Sequence, residues 1–149
     1  MLLPCAWASS SHSLRSRRCG WLDIPQMKFS TQINGFTSLN LTKLDVFTGM
    51  GELKIGTKYM YEGKELDTMP ANLKVLESKD FKVEYETLPG WTEDISTVTK
   101  FEDLPVNAQK YTLRVQELLG VPIRWIGVGP NRLDVVDRGE GWDLVNQER

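Results

Sequence analysis

Hydrophobic and polar positions repeat with two different periods along this chain, and the changes between them mark its elements. From Phe81 to Thr87, the residues Phe81, Val83, Tyr85 and Thr87 alternate with Lys82, Glu84 and Glu86. A period of two predicts a strand with one buried face. Pro89-Gly90 breaks the run, and Trp91 beyond it reads as a packing anchor. From Pro105 to Leu119 the period lengthens, with Tyr111, Val115, Leu118 and, more loosely, Ala108 on one helical face. Pro105 suits the first turn of that helix, and Gly120 suits the left-handed stop after its last. An earlier helix is expected after Asp23 as N-cap, with Pro25 in its first turn and Gly35 as its end. Ser38 to Thr42 and Glu52 to Tyr61 read as strands, the second turned by Glu62-Gly63-Lys64. Val121 to Ile126 is a short apolar strand running into Gly127-Val128-Gly129-Pro130. Strands alternating with helices place the chain in the α/β class.

Composition narrows this only a little. The 149 residues are 40% hydrophobic and 26% charged, ordinary values for one globular domain. A net charge of −2 argues against a general nucleic-acid binder. Arg15, Arg17 and Arg18 stand in a stretch without acids, so the remainder is more acidic than the whole. Cys5 and Cys19 do not form a disulfide framework, and no Cys/His cluster has the spacing of a metal site. A reduced, cytoplasmic setting is therefore expected. No stretch approaches the roughly 20 apolar residues of a membrane span.

Two strand ends carry candidate chemistry. After the first comes Thr42-Lys43-Leu44-Asp45. A carboxylate fixed there can accept two parallel hydrogen bonds from the N1 and N2 donors of guanine, an edge that adenine lacks. Lys43 can lay its methylene stem along the base while its ammonium stays in water. Standing alone, the tetrapeptide fits an ordinary strand end with solvated side chains better. After the second comes Gly127-Val128-Gly129, which alone is a tight turn. In open α/β sheets ligands bind beyond the carboxyl ends of strands, so the two loops are candidates for one site.

The surrounding sequence decides between these readings. Arg17-Arg18-Cys19-Gly20-Trp21-Leu22-Asp23, Ile33-Asn34-Gly35-Phe36-Thr37 and Leu41-Thr42-Lys43-Leu44-Asp45 come first. Met69-Pro70-Ala71-Asn72, Tyr85-Glu86-Thr87-Leu88-Pro89-Gly90-Trp91, Phe101-Glu102-Asp103-Leu104-Pro105 and Trp125-Ile126-Gly127-Val128-Gly129-Pro130 follow in order. Over about four-fifths of its length the chain resembles the C-terminal portion of the adenylosuccinate synthetase family, GTP-dependent ligases that join IMP to aspartate in AMP biosynthesis. The resemblance implies the C-terminal part of a mixed α/β nucleotide-binding fold, with a central sheet and flanking helices. It implies that Lys43, Leu44 and Asp45 contact guanine and that Gly127, Val128 and Gly129 line the same pocket. Arg15 matches the family arginine that meets IMP, and Arg17 the one on the aspartate and GTP side. Around them the family pattern Thr-Thr-Gly-Arg-Pro-Arg-Arg is replaced by His12-Ser13-Leu14-Arg15-Ser16-Arg17-Arg18. Leu14 puts a branched side chain where the family uses Gly, and a solvated basic tail is the other reading of these arginines.

The family's Gly-rich phosphate loop, catalytic Asp and downstream His have no counterpart in this sequence. The best lookalike, Gly51-Glu52-Leu53-Lys54-Ile55-Gly56-Thr57-Lys58, has Thr57 where a phosphate-loop lysine must stand and alternates like a strand. His12 is the only histidine. The expectation is a truncated family member with no catalytic residue and no Mg2+ ligand in this chain, inactive as a ligase alone. The partners implied are GTP, IMP and L-aspartate. The other reading is a non-catalytic fragment that binds guanine nucleotide, dimerises or pairs with the full-length enzyme. Residues 1–14 are expected to be a disordered leader outside the family pattern, residues 15–133 the family region, and residues 134–149 a divergent tail.

Overall fold

The computed structural model describes residues 20–139. The leader, Arg15, Arg17 and Arg18, and the tail from residue 140 lie outside the described residues. Two mixed sheets and two helices make up the described part, which meets the α/β expectation. In the first sheet β1 (Leu22–Asp23) runs parallel to β3 (Glu52–Tyr61), and β3 pairs antiparallel with both β4 (Lys64–Leu66) and β5 (Phe81–Pro89). In the second, β2 (Leu39–Leu41) lies parallel to β6 (Ile123–Gly127), with β7 (Val135–Asp137) antiparallel on the far side. That last strand falls in the segment set apart from sequence as a divergent tail.

Local chemistry accounts for both helices. In α1 (Ile24–Asn34) the Asp23 carboxylate accepts from Gln26 N at 3.1 Å, Pro25 occupies the first turn, and Gly35 closes the end at φ 62°. The same carboxylate accepts from the Tyr59 hydroxyl at 2.5 Å, so the cap of α1 is tied to β3. In α2 (Val106–Leu119) the end falls at Gly120, with φ 69°. Its inner face is Ala108, Tyr111, Thr112, Val115, Gln116 and Leu119. Leu118, expected on that stripe, stands at its margin, and Leu119 takes the buried position because it lies one turn beyond Val115 on the inner face.

The core joins both sheets through α2. Leu53 and Ile55 of β3, Ile123 and Ile126 of β6, and Val136 of β7 are fully buried in one cluster with Tyr111 and Val115. Phe47, Trp91 and Tyr111 meet edge to face, with ring centroids 5.6 to 6.3 Å apart. Trp91 is 3% exposed, a packing residue as expected. Gly90 is required beside it, because a Cβ there would lie 1.8 Å from the Met50 carbonyl oxygen.

The single buried face expected for β5 is a correction. Phe81 and Val83 are half-buried, but Tyr85 is 51% exposed and Thr87 is exposed, while Glu86 and Leu88 turn inward. Two causes act together. Thr57 is an extra residue in β3 between the pairs Gly56–Tyr85 and Lys58–Glu84, a bulge that increases local twist. The far end of β5 is covered on its other face by α2, whose Arg114 grips Glu86 with three hydrogen bonds of 2.8 to 3.1 Å. The strand period is as read, and the buried side changes along it.

Burial makes the fold sensitive to alkali. An unfolded tyrosine ionises near pH ~10. Burial pushes Tyr111 up to about 12, since phenolate is disfavoured away from water. Burial and the Asp23 carboxylate raise Tyr59 as well. The folded state therefore keeps protons that the unfolded state loses. This stability is intact below about pH 10 and is lost as pH rises through the folded values. Tyr111→Phe should flatten the decline in denaturation midpoint between pH 10 and 12, removing on the order of 2 kcal/mol of pH dependence. An unchanged slope would show that the Tyr111 hydroxyl does not carry it.

Candidate functional site

The parallel register of β2 and β6 sets Leu41 beside Ile126, so both strands release their chains at the same end of the sheet. Thr42–Asp45 leaves one and Gly127–Pro130 the other. The backbones touch there: a Cβ on Gly127 would come within 3.3 Å of Thr42 Cα and 3.5 Å of Lys43 N. Glycine at 127 thus eases this close approach, since a Cβ would ask the Thr42 backbone to give by a few tenths of an ångström.

The first loop turns sharply. Lys43 adopts φ 63°, a left-handed conformation uncommon for a residue with a Cβ, and its side chain is exposed. Leu44 then opens a 3-10 turn, Leu44–Phe47, and its side chain is fully buried. Leu44 therefore anchors the loop in the core and presents only backbone to the site. Asp45 is half-buried. Its Oδ1 is out of contact with solvent and has no hydrogen-bond partner among the described residues. Buried acceptors normally have a partner, which sets this oxygen apart from the rest of the loop.

The second loop is held by a residue that the sequence reading missed. Asp134 Oδ2 accepts from Asn131 N and Asn131 Nδ2, both at 2.8 Å, and Val128 N donates to the Asp134 carbonyl at 2.9 Å. A Cβ on Gly129 would sit 2.5 Å from that Asp134 carboxylate oxygen. The signal was available as an Asn and an Asp bracketing a tight turn. Gly127 and Val128 are buried and Gly129 is half-exposed, so Gly129 is the member of the trio with surface to offer. Of the residues singled out from sequence, Lys43, Leu44, Asp45, Gly127, Val128 and Gly129 belong to these two adjoining loops. Arg15 and Arg17 lie outside the described residues. Trp125, half-buried on β6 with the Arg124 guanidinium 4.8 Å from its ring, is a natural optical reporter nearby.

Behind the loops a buried polar group joins α2 to β6 and β7. Gln116 Oε1 accepts from Ile123 N and from Arg138 Nη1, each at 3.0 Å. Arg138 also donates to the Ile123 carbonyl and stacks 4.2 Å from the Phe101 ring. Burial lowers its guanidinium to about 10, against the pull of Glu102. A separate cleft of about 320 Å³, lined by Met50, Gly90, Trp91 and Asn107, includes none of the residues of the two loops. Among the described residues no three His, Cys, Asp or Glu side chains are grouped to hold a metal ion.

Two strand-end loops meeting beyond a parallel pair of strands, in mixed sheets flanked by helices, are the architecture of an α/β nucleotide-binding fold. A family model for adenylosuccinate synthetase matches residues 9–136. The chain is 72% identical over 131 residues to the adenylosuccinate synthetase of Phaeodactylum tricornutum, covering 88% of this chain and 24% of that protein. It is 64% identical over 124 residues to that of Phytophthora infestans, covering 83% and 22%. The fully ligated adenylosuccinate synthetase of Plasmodium falciparum superposes with a TM-score of 0.80 at 41% identity, over 84% of this chain and 30% of that one. This chain belongs to the adenylosuccinate synthetase family, whose members named here are ligases, and it spans about a quarter of the length of the curated relatives it matches.

Asp134→Ala should free the second loop without unfolding the sheet. Amide exchange should quicken through residues 128–134 and stay slow in Ile123 and Ile126. Loss of protection in both regions alike would show that Asp134 supports the whole sheet instead.

Proposed function

We propose that this chain carries the guanine-recognition part of an adenylosuccinate synthetase, the GTP-dependent ligase that joins IMP and L-aspartate. The observation that carries this is the buried Asp45 Oδ1, without a hydrogen-bond partner among the described residues, in the loop after β2 whose Thr42 and Lys43 lie against Gly127. Guanine N1–H and N2–H would donate to the two carboxylate oxygens. Adenine would bring a lone pair to the same place. Lys43 would cover the base with its methylene stem, and the backbone around Leu44 and Gly129 would close on its edge.

In the whole enzyme GTP phosphorylates the 6-oxygen of IMP, and the aspartate amine then displaces that phosphate. Arg15 is assigned to IMP and Arg17 to the aspartate and GTP side. Proton transfer and phosphate stabilisation carry most of such a barrier, and the groups for both belong to the part of the family pattern with no counterpart in this sequence. The chain by itself is thus a guanine-nucleotide-binding piece without ligase turnover. A cytoplasmic setting is part of the same reading, supported by two cysteines that form no framework. A relative from Oryza sativa carries the name chloroplastic.

Tryptophan fluorescence should show saturable binding of GDP and none of ADP. Asp45→Asn should weaken GDP by about 10- to 100-fold, in keeping with about 1–3 kcal/mol for a two-point base contact. Equal response to both nucleotides, or an unchanged mutant, would remove Asp45 from the recognition. With IMP, aspartate and GTP the chain alone should give no product. Turnover at about 1 s−1 or faster, the ordinary range for enzymes, would refute the assignment of catalysis to the rest of the family's length.

A further inference from the structure

Leu44 anchors one end of the turn that carries Asp45. The chain from Thr48 to Gly51, which joins that turn to β3, belongs to no helix or strand element and is held by the turn that ends β5. Glu52 pairs with Pro89 at the last rung between β3 and β5. Beyond that rung the two chains stay together. Gly90 N donates to the Gly51 carbonyl and Gly49 N to the Trp91 carbonyl, both at 2.9 Å. Thr48 lies beside Trp91 as an isolated bridge, and its own N–H donates to the Asp45 carbonyl at 3.1 Å. From the other side Asn107 Nδ2, in the first turn of α2, donates to the Gly90 carbonyl at 2.7 Å. A run of hydrogen bonds and backbone thus leads from α2 through Gly90-Trp91 to Asp45.

This run leaves little freedom at its middle. A Cβ on Gly90 would lie 1.8 Å from the Met50 carbonyl oxygen and 2.8 Å from the carbon, and both are backbone atoms that cannot swing aside. Gly90 is absent from the positive-φ glycines, so space and not conformation demands glycine there. Trp91 is buried and meets Phe47, two residues from Asp45, edge to face at 6.2 Å. We propose that Gly90, held by Asn107, is a positioning residue for guanine selection. It fixes the Met50 backbone and, through Gly49 and Thr48, the angle at which both Asp45 oxygens meet the base. This rests on the assignment of Asp45 to guanine. Two parallel hydrogen bonds need the carboxylate correctly turned, because each bond weakens steeply as its angle closes. A small tilt keeps one bond and loses the other. Hypoxanthine has the N1 donor of guanine but no N2 amine, so it makes only one such bond. Preference for GDP over IDP therefore reads whether both oxygens are in place.

The test is a tryptophan-fluorescence titration of the full chain with GDP and with IDP. The unaltered chain should bind GDP about tenfold more tightly, the value of one hydrogen bond to a charged group. Gly90→Ala should bring that ratio to within about twofold of one, mostly by weakening GDP. Asn107→Asp is the second variant, because a carboxylate in the first turn of α2 suits the helix dipole and keeps the fold. It faces the Gly90 carbonyl with no proton to give, and the ratio should fall several-fold while the melting midpoint holds. A residue that only supports the fold would lower the fraction of chain that binds, or weaken both nucleotides alike, and leave the ratio unmoved. A ratio near one in the unaltered chain would remove the guanine assignment of Asp45 and this proposal together. A preference for GDP that survives in Asn107→Asp would overturn this proposal alone, whether or not Gly90→Ala folds.

Discussion

The parallel pairing of β2 with β6 is the constraint on which the rest of the described structure depends. Parallel neighbours cannot be joined by a hairpin, so the chain must leave the sheet and return. Here it returns by way of β3, β4, β5 and α2, and the long detour becomes the body of the described structure. What the pairing yields is two loops released at one end in contact with each other. That contact is eased by residue 127 having no Cβ to place against Thr42.

A pair of three- and five-residue strands cannot hold such a detour by its own hydrogen bonds. Gln116 supplies a second attachment, with one side-chain oxygen accepting from the amide that begins β6 and from the arginine that follows β7. A buried amide oxygen with two donors is satisfied, and removing either donor would leave it short. The apolar side of the same helix carries Tyr111 and Val115 into the cluster with Ile123 and Ile126. Leu44 reaches that cluster from the loop itself. The loop that holds Asp45 is thereby pinned from beneath, which is what a carboxylate needs if it is to stay fixed without a partner.

Much of this was legible in the sequence, for local reasons. Asp23, Pro25, Gly35 and Gly120 act within one turn of a helix, and they cap and end the helices as their chemistry dictates. Glu62-Gly63 turns β3 into β4 for the same kind of reason. Thr42–Asp45 and Gly127–Pro130 were recognised as strand-end loops, and the structure sets them side by side. The failures share a cause. Which face of β5 is buried depends on a bulge in another strand and on a helix about twenty residues downstream. The exchange of Leu118 for Leu119 is set by how α2 lies on two sheets. The holding role of Asp134 needs the loop closed before its three partners exist.

The sequence by itself determined the periods, the caps, the turns and the family, because each rests on neighbours within a few residues or on the identity and order of motifs. Only the tertiary structure decided that the Leu44 side chain is an anchor rather than a contact surface, and that Asp45 keeps a buried oxygen without a partner among the described residues. Those are facts about what surrounds a side chain, and the surroundings are assembled from residues as far apart as Leu41 and Ile126. A sequence names the groups that can bond. Their enclosure, and so whether a bond is left open for a ligand, follows from packing.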